Sequence, residues 1–236
     1  MITIAKIRTE FPDKFGIPRQ SGLVPSLRAE IIFEPAFRNK DAVRGLEEFS
    51  HIWLIWEFSK AKSEDKNYKY SLTVTPPRLG GKERKGVFAT RAPYRPNSIG
   101  LSSVRLEEIR FDKIYGPILV VSGADLLDNT PIYDIKPYLS YTDCHLDAKG
   151  SFAESHKHDK IQVDFSKELL EKLPEELRES AVAVLAQDPR AAYNKKPDYV
   201  YGMRFREYDI RFMVEHEVLV VKDVVVADDI QYKKIK

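Results

Sequence analysis

The chain has 236 residues, of which 43% are hydrophobic and 31% are charged, so it is long and apolar enough for a sizeable core. The net charge of only +2 excludes a protein that is basic overall, and the single cysteine, Cys144, excludes a disulfide framework or a multi-cysteine zinc site. The chain begins without the apolar run of a signal peptide, and no run approaches the roughly 20 residues of a membrane span, so we expect a soluble cytoplasmic protein.

Short strands dominate the first 140 residues. Apolar residues and β-formers bounded by turns predict strands at residues 2–8, 29–33, 70–75, 87–90, 101–109 and 118–122. Pro and Gly make residues 11–25 an ordered loop, and Asn39 can cap a short helix-like connection over residues 39–49. This spacing predicts a mainly β protein whose residues 1–140 form an antiparallel β-barrel domain.

The segment SHIWLIWEF, residues 50–58, is a continuous apolar run. It predicts a strand that is buried on both faces or has one face at a subunit interface. We assign Trp53 and Trp56 to the core rather than to ligand stacking.

A stiff basic loop spans residues 76–101, where Pro and Gly alternate with cations. One acid, Glu83, stands against six basic residues: Arg78, Lys82, Arg84, Lys85, Arg91 and Arg95. Charge alone leaves two interpretations open, a solvated connection or a surface that grips an anionic ligand.

The remaining chain predicts a small α+β domain. Residues 141–165 are charged and weakly patterned, which is typical of a linker, and His156 and His158 lack further ligands for a metal site. An apolar stripe predicts helix over residues 166–187, split at Pro174, and residues 200–226 alternate as strands with basic and aromatic residues on one face. We therefore place the second domain at residues 166–236.

Common catalytic motifs are missing from the sequence. It contains no GxGxxG, GxxxxGK[ST], HExxH or GxSxG, which disfavours a doubly wound nucleotide-binding sheet, a metalloenzyme and a serine hydrolase. Basic and aromatic residues in both halves suit phosphates and exposed bases. The residues alone thus indicate an RNA- or nucleotide-binding barrel protein.

The motif GVFATRAPYRPNSIGLSSVRL resembles the signature of the TsaA-like family of TrmO-type tRNA methyltransferases. Five more segments resemble its motifs in the right order: KFGIPRQSGLVP, AVRGLEEFSHIWLIWEF, DLLDNTPIYDIKPYL, LAQDPRAAY and YGMRFREYDIRF. The resemblance implies a β-barrel class of S-adenosylmethionine-dependent enzyme that forms homodimers. It also implies methylation of N6 of threonylcarbamoyladenosine, beside the anticodon of threonine tRNA, without a metal.

The resemblance implies a set of cofactor-binding residues drawn from four motifs. They are Pro18, Arg19, Gln20, Ser59, Lys60, Arg91, Leu101, Asp128, Asn129, Thr130, Pro131 and Ile132. Bacterial relatives often carry Gly at the position of Asn129, His-Gln at Ser59-Lys60 and Pro at Ser98. These departures put side-chain roles at residues 59 and 60 in doubt.

Catalysis requires a base for a poorly nucleophilic ureido N–H. Asp188 and Asp209 are the candidate bases, and Tyr193 joins them in the catalytic set. For RNA, we expect Lys82, Arg84, Lys85 and Arg95 to grip phosphates, and Arg190, Tyr193 and Tyr208 to hold the modified base. The alternative for each aspartate is a structural ion pair or turn cap.

Two other functions remain open at this point. The barrel could be a binding module for S-adenosylmethionine or RNA that performs no catalysis. It could also be a methyltransferase whose substrate is a small molecule or a protein rather than tRNA.

Overall fold

A computed structural model describes residues 1–60, 70–77, 79, 83–156, 159–191 and 199–227. Six antiparallel strands form a closed barrel in the order β1-β2-β7-β6-β3-β8, which confirms the predicted mainly β fold. In chain order the first eight strands are β1 Ala5–Arg8, β2 Arg28–Phe33, β3 His51–Glu57, β4 Thr73–Val74, β5 Lys85–Gly86, β6 Ile99–Asp112, β7 Gly116–Ser122 and β8 Pro131–Pro137. Short 3-10 helices at Lys40–Val43 and Leu46–Glu48 make the helix-like connection predicted over residues 39–49, and another 3-10 helix, Pro35–Phe37, precedes them.

Strand β3 has one buried face. Ile52, Leu54 and Trp56 point into the barrel, whereas Trp53 and Ile55 are partly exposed on the outer wall. The expectation of a strand buried on both faces is therefore wrong, because alternate residues of a barrel strand face inside and outside. Trp56 is a core residue, as predicted, whereas the assignment of Trp53 to the core is wrong, because it lies on the outer face of the strand.

Trp56 lies directly against Gly100 of β6, its partner in the strand register. A Cβ atom at Gly100 would stand 2.3 Å from the indole ring, so no larger residue fits without movement of the tryptophan. The glycine thus allows β3 and β6 to approach around a large aromatic side chain.

Residues 87–90 form no strand. Val87–Ala89 is a 3-10 helix instead, and the Thr90 amide donates to the Val87 carbonyl. It follows the short β4–β5 pair, in which Thr73 faces Gly86 and Val74 faces Lys85. The strand prediction here is wrong because one turn of helix, set between Gly86 and a Pro-rich loop, outweighs the β-propensity of three residues.

Helix α1, Ser140–Asp143, follows β8 and contacts the barrel, since Trp53 Nε1 donates to Asp143 Oδ2 at 2.8 Å. The C-terminal part contains a four-stranded sheet, ordered β10-β11-β12-β9. Its strands are β9 Gln162–Asp164, β10 Tyr201–Phe205, β11 Tyr208–Glu215 and β12 Val218–Val226, and helices α2 Lys167–Leu170 and α3 Glu175–Ala186 accompany them. Pro174 precedes α3 as predicted, since proline suits the start of a helix and not its interior. Strand β9, which lies within the predicted linker, pairs parallel to β12.

Two hydrophobic clusters are present, one inside the barrel and one between α3 and the C-terminal sheet. Residues 9–27, which connect β1 to β2, are called the first loop, and its Phe11, Val24 and Leu27 are buried in the second cluster. Gly16 in the same loop has φ of +99°, and a Cβ there would stand 2.6 Å from Met203 Sδ on β10. The first loop therefore joins the two halves, and the domain limits given above stay predictions.

Within the described residues, no helix is long and apolar enough to cross a membrane. No group of three or more His, Cys, Asp or Glu side chains within them is arranged to hold a metal ion.

Candidate functional site

The first loop and the basic loop meet at Gln20 and Arg91. Arg91 Nη1 donates to Gln20 Oε1 at 2.6 Å across 71 positions of sequence. The Gln20 amide nitrogen in turn donates to the Arg19 carbonyl, which fixes the orientation of the amide group. Two predicted cofactor residues from separate motifs are thus in direct contact.

Beneath this contact lies Asp125, which follows β7. Ser102 Oγ donates to Asp125 Oδ1 at 2.6 Å, and Trp56 Nε1 donates to Ser102 Oγ at 3.0 Å. Burial raises the pKa of Asp125 to about 6. Hydrogen bonds from Ser102 and from backbone amides, including that of Ser21, favour the ionised form and oppose this shift, as does the charge of Arg91. A polar chain therefore runs from the loops into the barrel wall.

Asp125 lies three positions before the predicted cofactor residue Asp128 and was not itself predicted as a site residue. The available signal was weak, namely one acid in the apolar segment GADLL directly after a buried strand. Acids are seldom enclosed unless hydrogen-bonded or paired, so an acid at such a position indicates a buried polar network.

The turn after Asp125 is fastened to β1. Thr9 N donates to Asp128 Oδ1 at 3.0 Å, and Arg8 Nη1 donates to Asp128 Oδ2 at 3.2 Å and to Asn129 Oδ1 at 2.5 Å. Asn129 has φ of +61°, a conformation that glycine adopts most readily and asparagine tolerates. Burial raises the pKa of Asp128, partly offset by Thr9 and Arg8.

Several predicted cofactor side chains point away from this cluster. Thr130 and Ile132 are buried in the barrel, and Pro131 begins β8. Leu101 is 50% exposed on the outer wall of the barrel, since its neighbours Gly100 and Ser102 face inward. At residues 130–132 the backbone is engaged as well, because Thr130 N donates to the Leu127 carbonyl and the Thr130 and Ile132 carbonyls accept from Ile7 and Ile4.

Ser59 and Lys60 follow β3 at the rim, and both are exposed. Lys14 Nζ donates to the Lys60 carbonyl at 2.8 Å, and Lys60 Nζ donates to the Pro12 carbonyl at 3.4 Å. Lys60, one of the two residues that differ from the His-Gln of bacterial relatives, therefore holds the first loop against the end of β3.

Arg19 connects the first loop to the C-terminal part. Its Nη2 donates to the Arg190 carbonyl at 2.9 Å and to the Asp188 carbonyl at 3.5 Å. A cavity of about 220 Å³ lies at this junction, lined by Lys14, Phe15, Gly16, Ile17, Pro18, Arg19, Pro77, Val184, Gln187, Asp188, Pro189 and Ala191. The first motif and the LAQDPRAAY motif thus share one concave surface.

Asp188 and Arg190 form a buried, two-bond ion pair. Arg190 Nε donates to Asp188 Oδ1 at 2.8 Å and Nη2 donates to Oδ2 at 3.0 Å. Arg190 is 7% exposed and its guanidinium lies 5.9 Å from the centre of the Tyr201 ring. Asp188 has φ of +47°, an uncommon conformation for a residue other than glycine. Contact between Arg190 and RNA would require this pair to open.

The second candidate base is in a different environment. Asp209 Oδ2 accepts from Arg211 Nε at 3.1 Å on the same strand, β11, and Arg211 is exposed. Tyr208 beside it is partly buried, and burial together with Glu207 and Glu176 raises the pKa of its hydroxyl. Asp188 contacts the first loop through Arg19, whereas Asp209 pairs within the C-terminal sheet.

Apart from Arg91, three described cations of the basic loop bind the loop itself or the adjacent strand β4. Arg95 Nη1 donates to the Thr90 carbonyl at 2.8 Å, Arg84 Nε donates to Thr73 Oγ1 at 2.8 Å, and Lys85 pairs with Glu83. These residues shape the loop whether or not they also bind phosphate. Two predicted residues, Lys82 and Tyr193, lie outside the described residues.

The polar groups gathered here suit S-adenosylmethionine, which has a carboxylate, an ammonium group, a sulfonium, a ribose and a purine. Arg19 and Arg91 supply positive charge for a carboxylate, and Asp125 and Asp128 supply acceptors for an ammonium group or ribose hydroxyls. Phe15 and Pro18 line the cavity with apolar surface for a purine. The residues present fit the cofactor.

Comparisons with known proteins cover most of the chain. Residues 6–144 match the tRNA-methyltransferase O N-terminal domain and residues 158–227 match the TrmO C-terminal domain. A protein of Escherichia coli (strain K12) named tRNA (adenine(37)-N6)-methyltransferase is 40% identical over 219 residues, 89% of this chain and 91% of that protein. A Pseudomonas aeruginosa protein named putative S-adenosylmethionine-dependent methyltransferase RcsF is 41% identical over 89% of this chain and 90% of its own length.

Solved structures agree with these matches. A crystal structure of TrmO from Pseudomonas aeruginosa superposes with a TM-score of 0.74 at 35% identity, covering 94% of this chain and 97% of that one. Both domain models, the relatives and the fold point to the same group, and the chain belongs to the tRNA-methyltransferase O family.

Proposed function

We propose that the protein is an S-adenosylmethionine-dependent methyltransferase that methylates N6 of adenine 37 in tRNA. The observation that supports this most strongly is the 40% identity, along 89% of the chain, to a relative named for that reaction. The meeting of separate motif loops at Gln20, Arg91 and Asp125 supplies a plausible place for the methyl donor.

The finer proposal is that the substrate is threonylcarbamoyladenosine in threonine tRNA. On this modified base N6 carries a carbamoyl group, so its lone pair is delocalised and the nitrogen needs deprotonation to react. A carboxylate that can take the N6 proton, such as that of Asp188 or Asp209, is needed for this substrate, whereas a simple amine would react without it.

In this proposal the donor is held by residues of several motifs. Pro18, Arg19 and Gln20 of the first loop, Arg91 of the basic loop and the backbone of residues 128–132 would surround it; Ser59, Lys60 and Leu101 would contribute from the rim and outer wall. Bound S-adenosylmethionine supplies a methyl group already activated by the sulfonium. The protein's main task is to align N6 with that methyl and to exclude water.

A base in the C-terminal part would take the N6 proton as the N–C bond forms. Asp188 is our first candidate because it joins the shared cavity and its orientation is fixed by Arg190. Asp209 is the second, and Tyr193 and Tyr208 would hold the modified base. Arg190 would join them if its pair with Asp188 opened, in which case Asp209 is the base. Lys82, Arg84, Lys85 and Arg95 would bind tRNA phosphates.

We also propose that the protein is a homodimer and works in the cytoplasm, where tRNA is modified. A surface groove of about 540 Å³ on the barrel is lined mainly by apolar residues: Met1, Ile2, Ile4, Phe37, Ile55, Tyr133 and Asp134. Large apolar surfaces on a folded protein commonly mark subunit contacts. Sedimentation equilibrium tests this, because a mass of one chain at micromolar concentration contradicts the dimer.

The function itself is tested in cells. Deleting the gene should remove the N6-methyl group from threonylcarbamoyladenosine in threonine tRNA, measured by mass spectrometry of digested nucleosides, and a plasmid copy should restore it. An unchanged nucleoside profile would contradict the proposal and favour a non-catalytic binding module or a non-tRNA substrate.

A further inference from the structure

Asp125 connects three parts of the chain that are distant in sequence. The first loop supplies the Ser21 backbone amide, the basic loop supplies the charge of Arg91, and β6 supplies the Ser102 hydroxyl at 2.6 Å. Strand β3 adds a fourth contact indirectly, since Trp56 Nε1 donates to that hydroxyl. Among these groups Arg91 carries the opposing charge.

All of these contacts favour a carboxylate over a carboxylic acid. An ionised carboxylate accepts from the Ser21 amide and Ser102 together and attracts the guanidinium. A protonated carboxyl group is neutral, so it is no longer attracted to Arg91. One of its oxygens also becomes a hydroxyl, which weakens the hydrogen bond that this oxygen accepts.

Arg91 links this arrangement to the first loop. Its Nη1 donates to Gln20 Oε1, and its charge favours the carboxylate form of Asp125. Nearby, the backbone of Gly22 donates to the Gly123 carbonyl at 2.8 Å, which holds the first loop over Asp125.

We propose that Asp125 is a positioning residue of the donor pocket: its carboxylate holds Ser21, Ser102 and Arg91 in the arrangement that receives S-adenosylmethionine. This inference rests on the proposed function, because it assumes that the pocket takes this cofactor. Asp125 acts through Arg91 and the first loop and needs no contact with the reacting atoms.

A pH dependence follows from the enclosure of the group. Burial raises the pKa of Asp125 to about 6, so the carboxylate is present at pH 8 and is lost as the pH falls below 6. Cofactor affinity should therefore fall by about tenfold per pH unit below that value, as expected when one ionised group is required.

Titration calorimetry with S-adenosylmethionine between pH 5 and 8 tests the inference. Asp125→Asn should raise Kd at least tenfold at pH 8 and remove the pH dependence near 6. Asp112→Asn, at the far end of β6, is the matched control and should leave both unchanged. Equal affinities and equal pH profiles for the parent and Asp125→Asn would overturn the inference.

Ser102→Ala keeps the inference testable if Asp125→Asn does not fold. The Ser102 hydrogen bond lowers the pKa of Asp125, so its removal should move the midpoint of the pH profile upward. An unmoved midpoint would overturn the positioning role. If the parent chain bound no S-adenosylmethionine at any pH, the proposed function would fail and this inference with it.

Discussion

Arg91 Nη1 lies 2.6 Å from Gln20 Oε1, which joins the basic loop to the first loop outside the regular strands of the barrel. The contact shows how motifs 71 positions apart meet in the folded chain. The positive charge of Arg91 also favours the ionised form of Asp125.

Removing Arg91 should weaken cofactor binding without unfolding the protein. Arg91 is exposed, and hydrogen bonds to charged groups contribute about 1.5–3 kcal/mol, or roughly tenfold to a hundredfold in Kd. We expect Arg91→Ala to raise the Kd for S-adenosylmethionine by that factor in titration calorimetry, and Arg105→Ala on the outer wall to leave it unchanged. A matching loss of thermal stability in Arg91→Ala would point to a structural role instead.

Asp125 should make the fold less stable at high pH. Its pKa in the folded protein, about 6, exceeds the ordinary 3.8, so its favourable contribution is present below pH 4 and is lost as the pH rises through 6. The ionised form costs the folded state about 3 kcal/mol at most. Asp125→Asn should therefore match or exceed the parent in urea unfolding at pH 8, while binding the cofactor less well. A variant that loses stability at pH 8 contradicts this account.

Gly100→Ala should destabilise the barrel, because its Cβ would meet the Trp56 indole at 2.3 Å. Overpacking of this kind costs about 1–3 kcal/mol. Urea unfolding followed by tryptophan fluorescence measures the loss. Gly86→Ala is the control, since its Cβ would meet nothing within 4 Å. If both variants lost the same free energy of unfolding, the Trp56 side chain would be moving aside without a cost in stability.

The two ion pairs of the C-terminal part should differ in strength. Arg190→Ala removes the cation of a buried, two-bond ion pair with Asp188 and should destabilise the protein by about 3 kcal/mol. Arg211→Ala breaks the more exposed pair with Asp209 and should cost less than about 1 kcal/mol. Chemical unfolding compares them directly, and a small effect of Arg190→Ala would mean that water reaches the pair.

The basic loop should contribute electrostatically to tRNA binding. If Arg84 and Lys85 each neutralise a phosphate, the double alanine variant should lower the slope of log Kd against log salt by about two. Filter binding of tRNA at several salt concentrations measures the slope. The contacts to Thr73 and Glu83 offer the other explanation, and an unchanged slope would assign both residues to loop structure.

Local patterning predicted the barrel well. Alternation of apolar residues located most of its strands, and Pro174 marked the start of α3, since these features depend on neighbours in sequence. The strand expected at residues 87–90 was wrong because Arg95, Thr90 and a Pro-rich loop stabilise a 3-10 turn there. Asp125 could not be predicted as a site residue, because the groups around it are distant in sequence and come together only in the folded barrel. These groups are Ser21, Ser102 and Arg91.

The central claim is tested most directly with the purified protein. Threonine tRNA carrying threonylcarbamoyladenosine would be incubated with S-adenosylmethionine labelled on its methyl group, then digested and analysed by mass spectrometry. The account predicts the labelled methyl group on N6 of that nucleoside, and none on tRNA prepared without the threonylcarbamoyl group. Labelling of another nucleoside, or of none, would contradict it.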